Sequence, residues 1–368
     1  MNYLIQEQSQ LKELEQKLRE LRENSGHIAV DTEFLREKTY NARLCLVQLG
    51  IGDDQYLVDV LALNDLTCLS DMFADAKILK LFHAARQDME VLYQTFGVMP
   101  KPIFDTQLAA AFCGMDMQIG YAALVKDRLD LDLPKSQART DWTRRPLSSE
   151  QLKYAADDVA HLELLYQRGL ADLEKQGKLA WYEQEIEEYY EAGKYVIDPA
   201  LAYRRLSGGG LKKSQQYTLK ALAAWREEIA QKRDIPRSWV LRDEKLFDLA
   251  VKRPKTEQAV RDMRVFGKNS VKRWAPQTAR IIAEVEVGEE RLWKRVEPLD
   301  KAQRGVCSAM MKELAKYAKE QEVAQGLLAT RKDIESLYRH RRSDKLMSGW
   351  REPLVGKRLL EFADSQAA

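Results

Sequence analysis

Leu11, Leu14, Leu18 and Leu21 recur at helical spacing with charged residues between them, which predicts an amphipathic helix over 8–24. The period then changes. Ile28, Ala29 and Val30 form a short apolar run suited to a strand buried on both faces. Arg43–Ile51 (R-L-C-L-V-Q-L-G-I) and Gln55–Val60 predict two more strands around a turn at Gly52-Asp53-Asp54. Leu66–Ala74 reads as a helix and Ile78–His83 as a strand. Arg86–Phe96 reads as a helix stopped by Gly97, and Pro102–Thr106 opens an alanine-rich helix through Cys113. Ser148 and Gln151 make a capping box for a helix running to about Gln176. Strands mixed with helices in this way predict an α/β sheet with helices on both faces.

Length adds a domain count: 368 residues suffice for two or three domains, each with its own core. At 45% hydrophobic and 32% charged, the chain is neither disordered nor membrane-embedded, and no apolar run approaches a membrane span. The first ten residues lack the basic-then-apolar layout of a signal peptide. Cys45, Cys68, Cys113 and Cys307 lie far apart with no C-x-x-C, so they read as reduced thiols of a cytoplasmic protein and not as a zinc site.

Charge changes the picture more. The net charge is only +2, but residues 1–200 carry 22 basic against 34 acidic side chains. Residues 201–290 carry 20 against 12, and residues 291–368 carry 17 against 11. A basic back half suggests a polyanionic partner, which an acidic front half repels unless cations offset its carboxylates.

The candidate chemistry sits in that acidic half. Asp31 and Glu33 end the first core strand and, being two residues apart, project from the same face. A buried pair of carboxylates is costly unless protonated or neutralised, and hard divalent ions such as Mg²⁺ take oxygen ligands of this kind. Asp88 has Val91 and Leu92 at i+3 and i+4, so it leans toward the packed side of its helix. Asp105 reads as a helix N-cap. Tyr154, Asp158 and His161 share a stripe of the Ser148 helix, with Asp157 a geometric rival to Asp158. In the polar segment Leu133–Trp142, Arg139 and Trp142 have the chemistry to grip a phosphate and stack a base, or else to pack.

Taken together, D-T-E (Asp31, Glu33), Asp88 after H-A-A, and Y-A-A-D-D (Tyr154 to Asp158) resemble the three motifs of the DEDD exonuclease superfamily. The Y-x-x-x-D spacing resembles the tyrosine subgroup and selects Asp158 over Asp157. K-S-x-x-R-T-D-W (Lys135–Trp142) and F-D-T-Q (Phe104–Gln107) narrow the likeness to the bacterial ribonuclease D family. L-A-A-W-R (Leu222–Arg226) and P-R-S-W-V-L-R-D-E (Pro236–Glu244) resemble an HRDC domain, and Leu292–Phe362 looks like a second, divergent copy.

The resemblance implies a ribonuclease H-like α/β exonuclease domain with a mixed sheet flanked by helices, followed by two all-α HRDC domains. The expected boundaries are 1–196 for the exonuclease domain, 197–211 for a linker, 212–291 and 292–368 for the HRDC copies. It implies a 3′–5′ exoribonuclease that uses two Mg²⁺ or Mn²⁺ ions held by Asp31, Glu33, Asp88 and Asp158. Tyr154 would orient the attacking water, and Phe34, Arg139 and Trp142 would grip the terminal nucleotides. The implied partners are RNAs with free 3′ ends, such as tRNA precursors and other small stable RNAs, acted on by a cytoplasmic monomer with no membrane partner. The competing readings are a non-catalytic RNA-binding adaptor and a 3′–5′ exonuclease directed at DNA.

Overall fold

The computed structural model describes residues 1–134, 140–294 and 297–367. Its chain forms two compact units. The first comprises Met1–Leu35, Leu44–Ala192 and Leu299–Ala368. It is built on a six-stranded sheet of β1 (Asn2–Ile5), β2 (His27–Leu35), β3 (Arg43–Ile51), β4 (Asp54–Val58), β5 (Leu79–Phe82) and β6 (Ile103–Asp105), in the order β1-β4-β3-β2-β5-β6. β3 and β4 pair antiparallel, while β1–β4, β2–β5 and β5–β6 pair parallel, so the sheet is mixed as expected. The central strands are buried on both faces, and Ile28, Val30, Leu46, Val47 and Leu49 are fully enclosed.

Helix α1 (Gln8–Glu23) buries Leu11, Leu14 and Leu18, three of its four spaced leucines. The strand at Asn2–Ile5 went unread in the sequence. At four residues it is too short to show a period, and its pairing with Gln55–Val58 is what defines it. α2 (Thr67–Ala74) and α3 (Arg86–Phe96) follow, then α4 (Thr106–Phe112) and α5 (Tyr121–Leu129). The long helix expected from Ser148 to Gln176 is in fact two, α6 (Ser149–Ala160) and α7 (Leu162–Lys175), and α8 (Leu179–Ile186) comes after them. The Tyr121 hydroxyl enters the break, donating to the Asp157 carbonyl and accepting from the His161 N–H, each at 3.1 Å. A side chain inserted into the helical ladder is a sufficient cause of the interruption.

Residues 299–368 pack with the sheet and its helices, although the sequence reading divides the chain at 292. The Lys178 ammonium donates to the carbonyls of Phe112 and Glu322, both at 2.9 Å. Ala324 N–H donates to the Ala111 carbonyl at 2.8 Å. Arg351 pairs with Glu185 at 2.5 Å, with both side chains buried, and Trp350 stacks on Trp181 with ring centroids 5.1 Å apart. The contacts made by Glu322, Ala324, Trp350 and Arg351 each join residues more than 140 apart in sequence, where no local pattern can reveal them.

The second unit, Arg36–Arg43 with Gly193–Pro298, is helical: α9 (Lys213–Arg233), α10 (Arg237–Val240), α11 (Asp243–Lys252), α12 (Glu257–Asp262) and α13 (Lys268–Glu284). Its core holds Leu219, Leu222, Trp225, Leu246, Leu249, Trp274 and Ile282. The short segment Arg36–Arg43 is fastened to α9, because Asp234 Oδ1 accepts from the N–H groups of Tyr40 and Asn41 and the Tyr40 hydroxyl donates to Glu227.

Candidate active site

β2 delivers Asp31 and Glu33 to one place, and α6 brings Asp158 to meet them. A ligand oxygen from each of the three lies within 4.8 Å of the others, the only such grouping of three acids or other metal-ligating side chains among the described residues. Gly50 on β3 makes the approach of α6 possible. A Cβ there would lie 3.0 Å from the Ala29 Cβ and 3.2 Å from the Val159 carbonyl oxygen, so any larger residue would push against the helix that carries Asp158. Ser148 caps α6 through the expected box, accepting from Gln151 N–H at 3.2 Å while Gln151 Oε1 accepts from Ser148 N–H at 3.0 Å.

Asp88, in the first turn of α3, is buried and lies close enough to Asp31 and Glu33 to raise their pKa values, although it is outside the three-acid grouping. Thr32, between the two β2 acids, donates its hydroxyl to Asp88 at 2.5 Å. The start of α3 is fixed by Asp105. Its carboxylate caps α4 by accepting from Gln107 and Leu108 N–H, as expected, and it also accepts from Ala84 N–H at 3.0 Å and Ala85 N–H at 2.9 Å. Ala84 sits at φ +60°, a left-handed conformation costly for alanine, and these bonds hold it there just before the helix bearing Asp88.

Crowding and burial shift every acid of the group upward. Asp31 is raised well above the ordinary carboxylate range, first by desolvation and then by the charges of Asp88, Asp158 and Glu33. Desolvation, reinforced by Asp158 and Asp88, pushes Glu33 up to about 9. Asp88 rises to about 7 by burial, restrained by the Thr32 hydrogen bond. Asp158 also rises to about 7 by burial, restrained by a side-chain hydrogen bond from Tyr154. Four acids sharing one buried site call for a cation in place of protons, and an all-carboxylate donor set suits a hard divalent ion. One further polar atom belongs to the same place: Gln48 Nε2 donates to Asp31 Oδ2 at 3.3 Å, while its own Oε1 is buried with no hydrogen-bond partner.

Tyr154, one turn before Asp158, borders a cavity of about 300 Å³ that is also lined by Asp158, Asp157, Tyr121 and Leu133. Asp157, the rival to Asp158, lies on that wall and outside the acid grouping. Trp142 is only 1% exposed and packs in the core beside Tyr154, with ring centroids 6.3 Å apart. A base therefore has no open indole face to stack on, and the tryptophan instead backs the tyrosine. Phe34 is half-buried next to Glu33. Arg139 lies outside the described residues. His161 forms the junction of α6 and α7.

Two supports of the site carry no motif. Asp59, fully buried, takes a two-pronged ion pair from Arg145 at 2.6 Å for each contact, and Arg145 also donates to the carbonyls of Trp142 and Cys45. This ties the segment before α6 to the sheet. Gln48 is the second. The only sequence signal for either is a polar residue inside an otherwise apolar strand.

Known proteins share this sequence and this architecture. A 3′–5′ exonuclease family model matches residues 3–172 and an HRDC domain model matches residues 215–282. The ribonuclease D of Nitrobacter hamburgensis is 37% identical over 350 residues, covering 93% of this chain and 91% of that protein. That of Zymomonas mobilis is 35% identical over 357 residues, covering 93% and 90%. The crystal structure of Escherichia coli RNase D, described as an exoribonuclease involved in structured RNA processing, superposes with a TM-score of 0.86 at 29% identity, covering 99% of both chains. The catalytic core of RRP6 from Trypanosoma brucei gives a TM-score of 0.57 at 26% identity over 77% of this chain and 79% of that one.

Proposed function

The chain belongs to the ribonuclease D family and is a 3′–5′ exoribonuclease; on that premise we propose that it removes nucleoside 5′-monophosphates one at a time from the 3′ ends of tRNA precursors and other small stable RNAs, with two Mg²⁺ or Mn²⁺ ions held by Asp31, Glu33, Asp88 and Asp158. The observation that carries the reading is the meeting of Asp31, Glu33 and Asp158 within 4.8 Å, with Asp88 close by. These side chains would hold the ions, whose chemistry when bound would be a lowered pKa for an attacking water and stabilisation of charge on the departing 3′-oxygen.

The remaining work falls to the protein. Thr32 and Asp105 hold Asp88 in place from two sides, the first through its hydroxyl and the second through the turn before α3. Tyr154, hydrogen-bonded to Asp158 and backed by Trp142, would orient the water that attacks the terminal phosphodiester. A phenol with a pKa of about 10 is a poor base at neutral pH, so its part is to orient. The cavity of about 300 Å³ beside Tyr154 and Asp158 offers room for the terminal nucleoside. In the second unit, an open cavity of about 730 Å³ is lined by Arg205, Arg226, Arg237 and Arg242 together with Glu37, Glu227, Asp243 and Glu244; Arg226 pairs with Asp243 and Arg237 with Glu227, so Arg205 and Arg242 are the better candidates to meet a phosphate. The four free cysteines suit a reducing cytoplasm, and no helix among the described residues is long and apolar enough to cross a membrane.

Purified protein with Mg²⁺ or Mn²⁺ and a 3′-extended tRNA should yield mononucleotides and stop near the mature end. Asp31→Asn and Asp158→Asn should abolish this in single-turnover reactions without unfolding the chain. Turnover surviving in either variant, or products longer than one nucleotide, would overturn the mechanism.

A further inference from the structure

β3 is buried along almost its whole length, and Gln48 is its one side chain with an amide to satisfy. It is 0% exposed. Burying a carboxamide costs free energy unless its donors and acceptor are paired. One end is paired: Nε2 donates to Asp31 Oδ2 at 3.3 Å. The other is not, since Oε1 is enclosed and has no partner among the described residues. The amide cannot be turned to exchange the two ends while Asp31 is ionised, because a carboxylate only accepts and needs the N–H₂ toward it.

A half-satisfied buried amide touching an acid of the catalytic group is difficult to explain as packing. Leucine or methionine fills the same volume on a strand whose neighbours are Val47 and Leu49, at no polar cost. The arrangement makes sense if the second end is satisfied when the site is loaded. A hydrated divalent ion brings water molecules whose hydrogens need acceptors, and carboxylates that bind metal are themselves held by hydrogen bonds.

We infer that Gln48 is a positioning residue for the metal site: its N–H₂ fixes the orientation of Asp31, and its carbonyl accepts a hydrogen bond from a water of the bound ion. The inference rests on the proposed metal-dependent reading of the same acids, and it predicts an effect on ion binding in the absence of RNA.

The test is Mn²⁺ binding to the full-length protein by titration calorimetry, comparing wild type with Gln48→Met and Gln48→Leu, which keep the volume and remove both polar ends. Loss of an outer partner of a metal ligand weakens affinity by about 10–100-fold, and that is the expected rise in Mn²⁺ Kd. Melting temperature in EDTA should stay the same or rise, because an unpaired buried group is gone. With saturating RNA, kcat should be low at limiting Mn²⁺ and recover as Mn²⁺ is raised, while KM for RNA stays constant. A Mn²⁺ Kd within twofold of wild type in a folded variant would overturn the inference, as would a loss of kcat that added Mn²⁺ does not repair. Wild-type protein that binds no Mn²⁺ would instead bring down the metal reading itself. Should neither variant fold, the Gln48 side-chain amide resonances of wild type decide the matter: they should shift as Mg²⁺ is added, and unchanged resonances at saturation would refute the assignment.

Discussion

Replacing Glu33 with glutamine should stabilise the metal-free protein while destroying its activity. Glu33 is 8% exposed, and its pKa stands at about 9 against an ordinary 4.5. Between those values the folded state holds a proton that the unfolded chain releases, so wild-type stability falls as pH rises through that window. Each unit above 4.5 costs about 1.4 kcal/mol, which makes roughly 3 kcal/mol at pH 7 and about 5 kcal/mol at pH 8.5. Glutamine keeps the shape and carries no titrating group, but burying its amide takes back about 1–2 kcal/mol. The net gain is then about 2 kcal/mol at pH 7, larger at pH 8.5, and near zero or reversed at pH 5. At roughly 2–4 °C per kcal/mol for a unit of this size, thermal melts in EDTA resolve the difference. At pH 7, Mn²⁺ at one hundred times Kd should reverse the order, because wild type gains about 2.7 kcal/mol of binding free energy against the variant's advantage of about 2 kcal/mol. A Glu33→Gln variant less stable than wild type at pH 8.5 in EDTA, or a difference independent of pH, would refute the claim that burial and the neighbouring carboxylates hold a proton on Glu33.

Other perturbations separate the supporting roles. Tyr154→Phe should lower kcat by about 10²-fold and leave the Mn²⁺ Kd within about twofold, as expected for a group that orients water and binds no metal; calorimetry beside single-turnover rates checks this. Asp105→Ala removes the acceptor for four backbone N–H groups and releases Ala84 from its left-handed turn, costing about 3 kcal/mol or more in urea denaturation. Asp59→Ala leaves the half-buried Arg145 guanidinium without its carboxylate partner and should cost about 2–3 kcal/mol by the same measurement, with activity falling as Trp142 and Tyr154 loosen.

Much of the site was legible because its chemistry follows local rules. Strand alternation put Asp31 and Glu33 on one face, helical spacing linked Tyr154 to Asp158, and capping preference placed Asp105 at the start of α4. What stayed hidden depends on long-range contacts. Gln48 and Asp59 look like ordinary polar interruptions of apolar strands until their partners, 17 and 86 residues away, are in view. The break at His161 comes from Tyr121, forty residues earlier, and the stripe of Tyr154, Asp158 and His161 gives no sign of it. The polar segment leaves Trp142 open between a base platform and a packed side chain, and the indole, 1% exposed beside Tyr154, is packed. The docking of residues 299–368 through Lys178, Arg351 and Trp350 likewise depends on partners that only the folded chain brings near.

We propose that the carboxylates of Asp31, Glu33, Asp88 and Asp158 hold divalent ions against an RNA 3′ end. Anomalous diffraction from crystals soaked in Mn²⁺ tests it most directly. Two manganese peaks ligated by these four side chains are expected, and both should vanish in Asp31→Asn. Crystals that take up manganese elsewhere and leave this cluster empty at saturating concentration would contradict the account.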